Sequence, residues 1–425
     1  MHILFLTHNF PPEVNALATR TYEHCQRWVR AGHRVTVVTC APNYPTGIVF
    51  PGYRNAWRSE EMVEGIRVVR VGTLIARNEG FLRRILAFLS FMVRAVLFGV
   101  VQRDVDVVVA SSPQFFAGWA GVICKWIRRW PFVLEIRDLW PESIIAVGAM
   151  RRSLAIRVLE WLELRMYAAA DHIVTVGDGY RRQLLDRGVT IDKISVVPNG
   201  VATSNGTKTR SEENLRQRFQ AQGKFVCSYI GTVGMAHGLD VVIEAAAKLQ
   251  SSGRHNIQFW IVGDGAERPR LEAEAERRQL RNVVFTGLVP KEQVNGFLAN
   301  SDACLVHLKG TELFSTVIPS KIFETMHARV PIVMGVRGDA CDLVVNNRAG
   351  VEMTPDDPNS LIMALETIAA KPSAYQGGRE FVARHYHRDT LARQMLGVLQ
   401  RCVEKVRPGK KDSSTVRDND IRRAA

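Results

Sequence analysis

The 425-residue chain lacks the features of disulfide-rich, metal-binding and exported proteins. Its seven cysteines are scattered, with no Cys-x-x-Cys pair and no His/Cys cluster at metal spacing. This argues for reduced, packed thiols and against zinc or a disulfide framework. The first residues, MHILFLTHNF, include no basic region and no small-residue cleavage site, so we interpret them as a strand of a cytoplasmic protein rather than as a signal peptide.

Acidic residues are also in deficit. The 42 Asp and Glu residues stand against 56 Lys and Arg residues, which gives a formal charge of +14. Such an excess predicts an anionic partner, which can be nucleic acid, anionic lipid or a phosphorylated substrate. Zinc-finger spacing and RNP aromatic motifs are absent, so we expect no nucleic-acid partner. The length exceeds what one core normally serves and predicts two domains.

Long uncharged apolar runs are missing too. The most apolar segment, residues 81–103, has no uncharged run longer than nine residues. Its charges are all basic: Arg83, Arg84, Arg94 and Arg103. Because a bilayer requires roughly 20 apolar residues, a spanning helix is not expected. The segment suits either a core helix or an interfacial helix whose arginines reach anionic headgroups. A second basic-aromatic cluster, Lys125–Trp130, favours contact with an anionic inner-membrane surface.

Residues 1–201 alternate strand-length apolar runs with amphipathic stretches, which predicts an α/β fold with a doubly wound parallel sheet. The predicted strands are Ile3–Thr7, Val35–Thr39, Ile66–Val71, Asp106–Ala110, Phe132–Ile136 and His172–Val176. The predicted helices are Thr19–Ala31, Phe81–Val101, Phe115–Arg128, Ser153–Ala169 and Tyr180–Gly188. The first turn has no G-x-G-x-x-G, which argues against a dinucleotide-dependent oxidoreductase. Ligands bind at the carboxyl ends of such strands, where Asn9, Glu13, Arg137 and Asp138 are expected.

A second alternation begins at Phe225. Its first turn contains Gly231, Thr232, His237 and Gly238, whose backbone N–H groups can meet a diphosphate. The next strand ends in Gly263-Asp264-Gly265, and the following one reaches Leu288, where main-chain groups can meet a nucleobase. Further strands are predicted at Ala303–Leu308 and Pro331–Val336. Helices are predicted at Leu239–Leu249, Glu267–Leu280, Pro358–Ala369, Arg379–His385 and Thr390–Val406.

The segment between the last two of these strands carries the strongest local signal. Pro319 and Ser320 predict the start of a helix, with Ser320 as its N-cap. Lys321 then falls at the positive end of the helix dipole, which is unfavourable unless an anion also binds there. Glu324 lies on the same face and can accept hydrogen bonds from two adjacent sugar hydroxyls while Ser320 and Lys321 bind phosphates. The alternative is an ion pair between Lys321 and Glu324 on a solvated helix.

Taken together, in their order and spacing, short motifs of both halves resemble the retaining glycosyltransferases of family 4. The motifs are HNFPPE near the start, GHRVTVVT at Gly32–Thr39, RDLWP at Arg137–Pro141, VVPNGV at Val196–Val201, IVGDG at Ile261–Gly265, FTGLV at Phe285–Val289 and PSKIFE at Pro319–Glu324. RDLWP with PSKIFE is similar to the bacterial branch that makes O-antigen, capsule and colanic acid, including N-acetylfucosamine transferases.

The resemblance implies a GT-B fold, in which two Rossmann-like domains face each other across a cleft. The implied boundaries are 1–203 for an acceptor domain, 204–222 for a linker, 223–387 for a nucleotide-sugar domain and 388–408 for a helix that crosses back. Residues 409–425 are polar without apolar periodicity, and we expect a disordered tail.

The implied reaction moves a sugar, such as an N-acetylated aminosugar, from a UDP-sugar to a lipid-linked polyprenyl-pyrophosphate acceptor with retention. No cofactor or metal is expected, because no D-x-D pair stands where a metal would be held. The implied donor site contains Gly231, Thr232, His237, Gly238, Gly263, Asp264, Gly265, Leu288, Ser320, Lys321 and Glu324. The implied acceptor side contains Asn9, Glu13, Asn15, Arg20 and Arg137, and the catalytic candidates are Asp138 and Lys321.

The chain departs from the family pattern at four places. Thr232 and His237 replace the basic pair of the donor loop, Thr316 replaces the first acid of E-x7-E, Asn15-Ala16 replaces a glycine pair, and Arg137 replaces a histidine. Two other functions remain open: a UDP-sugar 2-epimerase or hydrolase on the same fold, and a non-enzymatic sugar-nucleotide-binding scaffold. The basic-aromatic segments favour a membrane acceptor over the epimerase, and Lys321 with Glu324 favours donor binding over the scaffold.

Overall fold

The computed structural model describes residues 1–44, 46–75, 81–112, 115–146, 148, 153–201 and 215–407. The predicted tail at 409–425 and residues 204–214 of the predicted linker lie outside these ranges. Within them, no helix combines the length and the apolar character that a bilayer crossing requires.

The first domain is built on an eight-stranded sheet in the order β3-β4-β2-β1-β5-β6-β7-β8. Its strands are β1 (His2–Leu6), β2 (Arg34–Cys40), β3 (Arg58–Val63), β4 (Ile66–Val71), β5 (Val107–Ser111), β6 (Phe132–Ile136), β7 (His172–Thr175) and β8 (Ile194–Val196). All neighbours pair in parallel except β3, which forms an antiparallel hairpin with β4 at the edge. The hairpin turns through Glu64 and Gly65, both with positive φ, as a tight two-residue turn requires.

In the part of the first domain that the structure describes, six α-helices lie between these strands in the sequence. They are α1 (Ala16–Arg30), α2 (Phe81–Val100), α3 (Phe115–Arg128), α4 (Glu142–Ala146), α5 (Leu154–Ala169) and α6 (Asp178–Asp186). The central strands are buried on both sides, which is why they read as continuous apolar runs in the sequence. Helix α2 buries Phe91 and Ala95 in the core and exposes Leu86, Val93 and Leu97. Its buried face makes it a helix of the sheet layer, and its outer face is apolar.

The second domain has a six-stranded, all-parallel sheet in the order β11-β10-β9-β12-β13-β14. The strands are β9 (Phe225–Ile230), β10 (Ile257–Val262), β11 (Val283–Gly287), β12 (Ala303–His307), β13 (Ile332–Gly335) and β14 (Gly350–Glu352). The helices are α7 (Leu215–Arg218), α8 (Asp240–Ser251), α9 (Arg268–Arg277), α10 (Lys291–Ala299), α11 (Lys321–His327), α12 (Asp339–Asn346), α13 (Pro358–Ala370) and α14 (Arg379–His385). Helix α7 falls inside the predicted linker, but Leu215 packs with Trp260 in the second domain.

The last helix, α15 (Arg388–Val406), returns to the first domain. Its apolar face joins Phe5 and Trp28 in one core cluster, and the Trp28 indole donates a hydrogen bond to the Ala392 carbonyl over 3.0 Å. The two connections between the domains are adjacent where they leave the first domain, since Val201 pairs with His387. The domains therefore meet at a paired hinge, and the carboxyl ends of both central sheets face the cleft beside it.

Candidate active site

A cavity of about 450 Å³ lies between the two domains and is lined by residues of both. Eleven residues of the sequence-predicted site are in its wall: Asn15, Arg20, Gly231, Thr232, His237, Gly263, Asp264, Leu288, Ser320, Lys321 and Glu324. Its volume falls in the range typical of small-molecule sites.

The floor on the second-domain side is made by two glycine turns at the carboxyl ends of β9 and β10. Gly231 and Gly263 have φ of +140° and +138°, a conformation that residues with a Cβ rarely adopt. A Cβ at Gly263 would lie 2.0 Å from the Gly231 carbonyl oxygen, and one at Gly231 would lie 3.0 Å from the Lys321 Nζ. The turns are glycine because they pack on each other and leave room for the ammonium group.

Lys321, the first residue of α11, places its Nζ against this floor. The Nζ is buried without a hydrogen-bond partner among the described residues, and it lies 3.7 Å from the centroid of the Tyr229 ring. Burial lowers the pKa of Lys321 to about 8. Ser320 occupies the N-cap position as predicted, but its side chain makes no capping hydrogen bond. The result is a desolvated cation without an anionic partner in the described part of the chain.

His237 supplies a second polar atom without a described partner close to Lys321. Its Nδ1 is buried and has no hydrogen-bond partner in the described ranges, and its ring lies 5.8 Å from that of Tyr229. Burial, aided by the positive charge of Lys321, lowers the pKa of His237 to about 3. His237 is therefore a neutral imidazole at physiological pH, and Lys321 supplies the positive charge at this floor.

Glu324 is paired with a residue that the sequence did not suggest. Arg388 Nη2 donates to Glu324 Oε1 over 2.9 Å, so the alternative Lys321–Glu324 ion pair is not formed. Arg388 belongs to α15 and is far from Glu324 in the sequence, and no spacing rule connects residues of two separate elements. Sequence reasoning missed Arg388 for that reason.

The first-domain wall of the cavity is held by a buried ion pair. Arg20 Nε donates to Glu135 Oε1 over 2.8 Å, and its other nitrogens donate to the carbonyls of Val197 and Pro198. Burial alone would raise the pKa of Glu135, but Arg20 and Arg137 lower it to about 2. Arg20 is thus held at the wall by Glu135 and two backbone carbonyls.

Two other residues of the predicted acceptor side bond to the backbone around the cavity. Asn15 Oδ1 caps α1 by accepting from Ala18 N over 2.8 Å. Glu13 is outside the wall and accepts from the backbone N–H groups of Asn43 and Tyr44, each at 2.8 Å. Because Tyr44 itself lines the cavity, Glu13 positions that part of the wall. Burial raises the pKa of Glu13.

Arg137 and Asp138 follow β6 but are not among the lining residues. Arg137 donates to the carbonyls of Ala16 and Leu17 over 2.9 and 3.2 Å, and burial lowers its pKa to about 10. Burial raises the pKa of Asp138 to about 6, while hydrogen bonds from Ser143 and the Leu139 N–H oppose that rise. The Asp138 carboxylate is thus turned toward the start of α4.

Three further predicted residues lie behind the wall. The Asn9 carbonyl accepts from Thr7 Oγ1 over 3.1 Å. Gly238 has a φ of +55° and ends the turn that follows β9. A Cβ at Gly265 would lie 2.3 Å from the Val233 carbonyl oxygen. These three residues belong to loops next to the cavity but are not among the residues that line it.

Thr316, which stands where the family has an acid, is used in a contact between the domains. Gln183 Nε2 donates to Thr316 Oγ1 over 3.2 Å, and a Cβ at Gly179 would lie 2.6 Å from the Thr316 Cβ. Beside it, Arg182 Nη2 donates to both carboxylate oxygens of Asp339, at 2.8 and 2.9 Å. The Thr316 side chain thus packs against α6, and Thr316 is not among the residues that line the cavity.

Two family models match this chain, one in each domain. The model of the glycosyl transferase 4-like domain matches residues 15–200, and that of glycosyl transferases group 1 matches residues 224–371. A relative from Escherichia coli K12, described as the colanic acid biosynthesis glycosyl transferase WcaI, is 24% identical over 409 residues, covering 93% of this chain and 99% of the relative.

Solved structures agree on the architecture. Sucrose-phosphate synthase from Thermosynechococcus elongatus aligns with a TM-score of 0.70 at 17% identity, over 94% of this chain and 98% of that one. Anabaena Alr3699/HepE, solved in complex with UDP-glucose, aligns with a TM-score of 0.68 at 18% identity, over 94% and 99%. These likenesses confirm the GT-B fold.

Proposed function

Because the chain belongs to the glycosyltransferase family that combines these two domains, we propose that it transfers a sugar from a UDP-sugar to a lipid-linked acceptor. The proposal places the reaction in bacterial surface-polysaccharide biosynthesis, in line with the described role of the WcaI relative. It includes retention at the anomeric carbon and independence of metal ions. The UDP-glucose complex of the HepE structure supports the choice of donor class.

The observation that carries the proposal is the buried Lys321 Nζ without a described partner. A buried charge without a counterion is costly, and such a group persists where a ligand compensates it. The cavity beside it is bordered by the glycine turns at Gly231 and Gly263, whose backbones a diphosphate can approach closely. A nucleoside diphosphate offers the charge and the shape that this corner requires.

In the proposed mechanism, the acceptor hydroxyl attacks the anomeric carbon on the face from which the diphosphate leaves. The new bond from carbon to the acceptor oxygen forms as the bond from carbon to the diphosphate oxygen breaks, and a diphosphate oxygen takes the hydroxyl proton. Lys321 stabilises the negative charge that develops on the leaving group. Neutral His237 can hydrogen-bond a diphosphate or sugar oxygen when its ring nitrogen carries the proton.

The acceptor side of the proposal draws on the outer surface of the first domain. Helix α2 exposes Leu86, Val93 and Leu97, and α3 ends in Trp126 and Ile127, which are 60% and 58% exposed. Aliphatic side chains with tryptophan and arginine suit the membrane interface. This surface supports peripheral contact with an anionic inner membrane, where a polyprenyl-linked acceptor resides.

The sequence suggested that Arg94 reaches lipid headgroups, but in the structure its side chain packs against Trp57. Its guanidinium carbon lies 3.2 Å from the centroid of the Trp57 ring, and its Nη1 is buried. The aliphatic face and exposed Arg83 therefore carry the membrane contribution of α2.

The proposal is tested by incubating the purified chain with a panel of UDP-sugars and short-chain lipid-pyrophosphate acceptors. For one donor, we expect UDP release that depends on the acceptor, together with a glycosylated lipid product. UDP release or a new sugar without acceptor would select the epimerase or hydrolase. Tight UDP-sugar binding with no turnover of any donor would select the scaffold.

A further inference from the structure

Four charged side chains of alternating sign connect the domains along the cavity wall. Lys291 Nζ lies 3.4 Å from Glu23 Oε1, Glu23 pairs with Arg388 Nη1, and Arg388 Nη2 pairs with Glu324 at 2.9 Å. All four residues line the cavity. Because Lys291 and Glu324 belong to the second domain and Glu23 to the first, the chain of charges spans the cleft.

Arg388 is the centre of this network. Besides the two carboxylates, its Nε donates to the Gly200 carbonyl over 2.9 Å. Its side chain is only 14% exposed. Gly200 adjoins the hinge pair Val201–His387, so the guanidinium is held in one orientation by three segments of the chain. A planar guanidinium suits such a junction because its donors point in fixed directions.

The network restrains Glu324, whose side chain is 38% exposed. A half-exposed carboxylate on a short helix has several rotamers available, and holding it in one costs side-chain entropy. The bond from Arg388 restrains Oε1 of a residue that lines the cavity, and Oε2 has no hydrogen-bond partner among the described residues. Binding to a preorganised acceptor loses less entropy than binding to a mobile one.

We propose that Arg388 is a positioning residue for the nucleotide, which orients Glu324 toward the ribose hydroxyls and makes that orientation depend on Glu23 of the first domain. This inference rests on the proposed function, because it assigns the ribose of the donor to Glu324. It extends the donor site to the crossing helix and to the opposite domain.

The test compares three probes by calorimetry: UDP, 2′-deoxy-UDP and inorganic pyrophosphate. The ratio of the affinities for UDP and 2′-deoxy-UDP reports on ribose recognition, whereas pyrophosphate reports on the phosphate corner at Lys321. A hydrogen bond to a charged group is worth roughly tenfold or more, so the wild-type ratio is expected near that value. Arg388→Gln is expected to bring it to about two and to keep pyrophosphate affinity within about twofold.

Two further variants follow the network. Arg388→Lys can still reach one carboxylate and is expected to give an intermediate ratio. Glu23→Gln touches no proposed donor group, and it should lower the ratio in the same direction by a smaller factor. The matched control is Arg182→Gln, which removes another arginine–carboxylate pair between the domains, away from the cavity, and should keep the wild-type ratio.

An unchanged ratio in Arg388→Gln, or an equal loss for all three probes, would overturn the inference, because a merely structural arginine affects the probes alike. Glu23→Gln keeps the idea falsifiable if Arg388→Gln does not fold. Failure of the wild-type chain to bind UDP would instead refute the proposed function, and the inference with it.

Discussion

Replacement of Lys321 by methionine is expected to weaken UDP binding and, at the same time, to stabilise the free protein. Methionine keeps much of the length of the side chain and its contact with the Tyr229 ring, but it removes the ammonium group. A hydrogen bond between charged groups contributes about 1.5–3 kcal/mol. Lys321→Met should therefore weaken UDP binding by roughly 10- to 150-fold, at about 1.4 kcal/mol for each factor of ten.

The same change should stabilise the free protein. The pKa of Lys321 falls from an ordinary value of 10.5 to about 8 because the ammonium is buried. That shift corresponds to on the order of 3 kcal/mol of destabilisation at pH 7, from which the contact with the Tyr229 ring recovers roughly 1 kcal/mol. A gain on the order of 2 kcal/mol in the free energy of unfolding is expected for Lys321→Met.

The pH dependence has a definite sign. Below pH 8 the folded and unfolded chains both carry the ammonium, so the cost of burial is fully present. Between pH 8 and pH 10.5 the folded chain gives up the proton first, and the Lys321 contribution makes the protein more stable as the pH rises. UDP affinity should change in the opposite direction and begin to fall near pH 8.

Calorimetry with UDP and thermal unfolding, each measured between pH 6.5 and pH 9.5, test these expectations. Lys248→Met is the control, because Lys248 is an exposed lysine of α8 bonded to Asn359. It should leave UDP affinity and its pH dependence unchanged. A Lys321→Met variant that melts at a lower temperature and binds UDP normally would refute the assignment of the phosphate corner.

Three other variants test the remaining assignments. Glu324→Gln should lose UDP affinity by about tenfold and keep pyrophosphate affinity, because the proposed partners of its carboxylate are hydroxyls rather than phosphates; equal losses in calorimetry would contradict this role. Asp138→Asn should keep kcat within about threefold, because the carboxylate is bonded to Ser143 and Leu139 N; a loss of about a hundredfold in steady-state assays would restore the catalytic role expected from its place after β6. Leu97→Asp on the exposed face of α2 should reduce flotation with anionic liposomes and preserve activity on a water-soluble acceptor. Ile191→Asp is the control, because Ile191 is exposed outside this surface, and it should leave flotation unchanged. Equal flotation of both variants would contradict a membrane contact through α2.

The sequence predicted buried strands well. The bounds of β4 and β6 match their predicted ranges, because a strand buried on both faces is a continuous apolar run between polar turns. Strand β3 was missed, because its sequence RSEEMV is mostly exposed at the sheet edge. Helix α10 was also missed, although Pro290 before it and the spacing of Val294, Phe297 and Leu298 are helix signals.

The site was predictable where one element carries its chemistry. Lys321 was identified because a cation at the start of a helix is unfavourable unless an anion binds there. In the structure its Nζ has no hydrogen-bond partner among the described residues. Glu23 and Arg388 were not predictable, because their role depends on how two domains approach each other. Asp138 was placed after the correct strand, but the direction of its side chain depends on Ser143 in the next turn.

The paired hinge gives the chain a modular construction. Residues on both sides of the second domain belong to the first, and the entry and exit points are joined by hydrogen bonds from Val201 N to Tyr386 O and from Arg388 N to Val201 O. A segment whose ends are adjacent can be exchanged as one cassette without rebuilding its host. In a chimera that imports residues 202–386 from a relative, the second domain arrives with its own residue at the Glu324 position, while Arg388 and Glu23 remain in the host. Compatible chimeras are then those whose incoming cassette presents a carboxylate to the resident arginine.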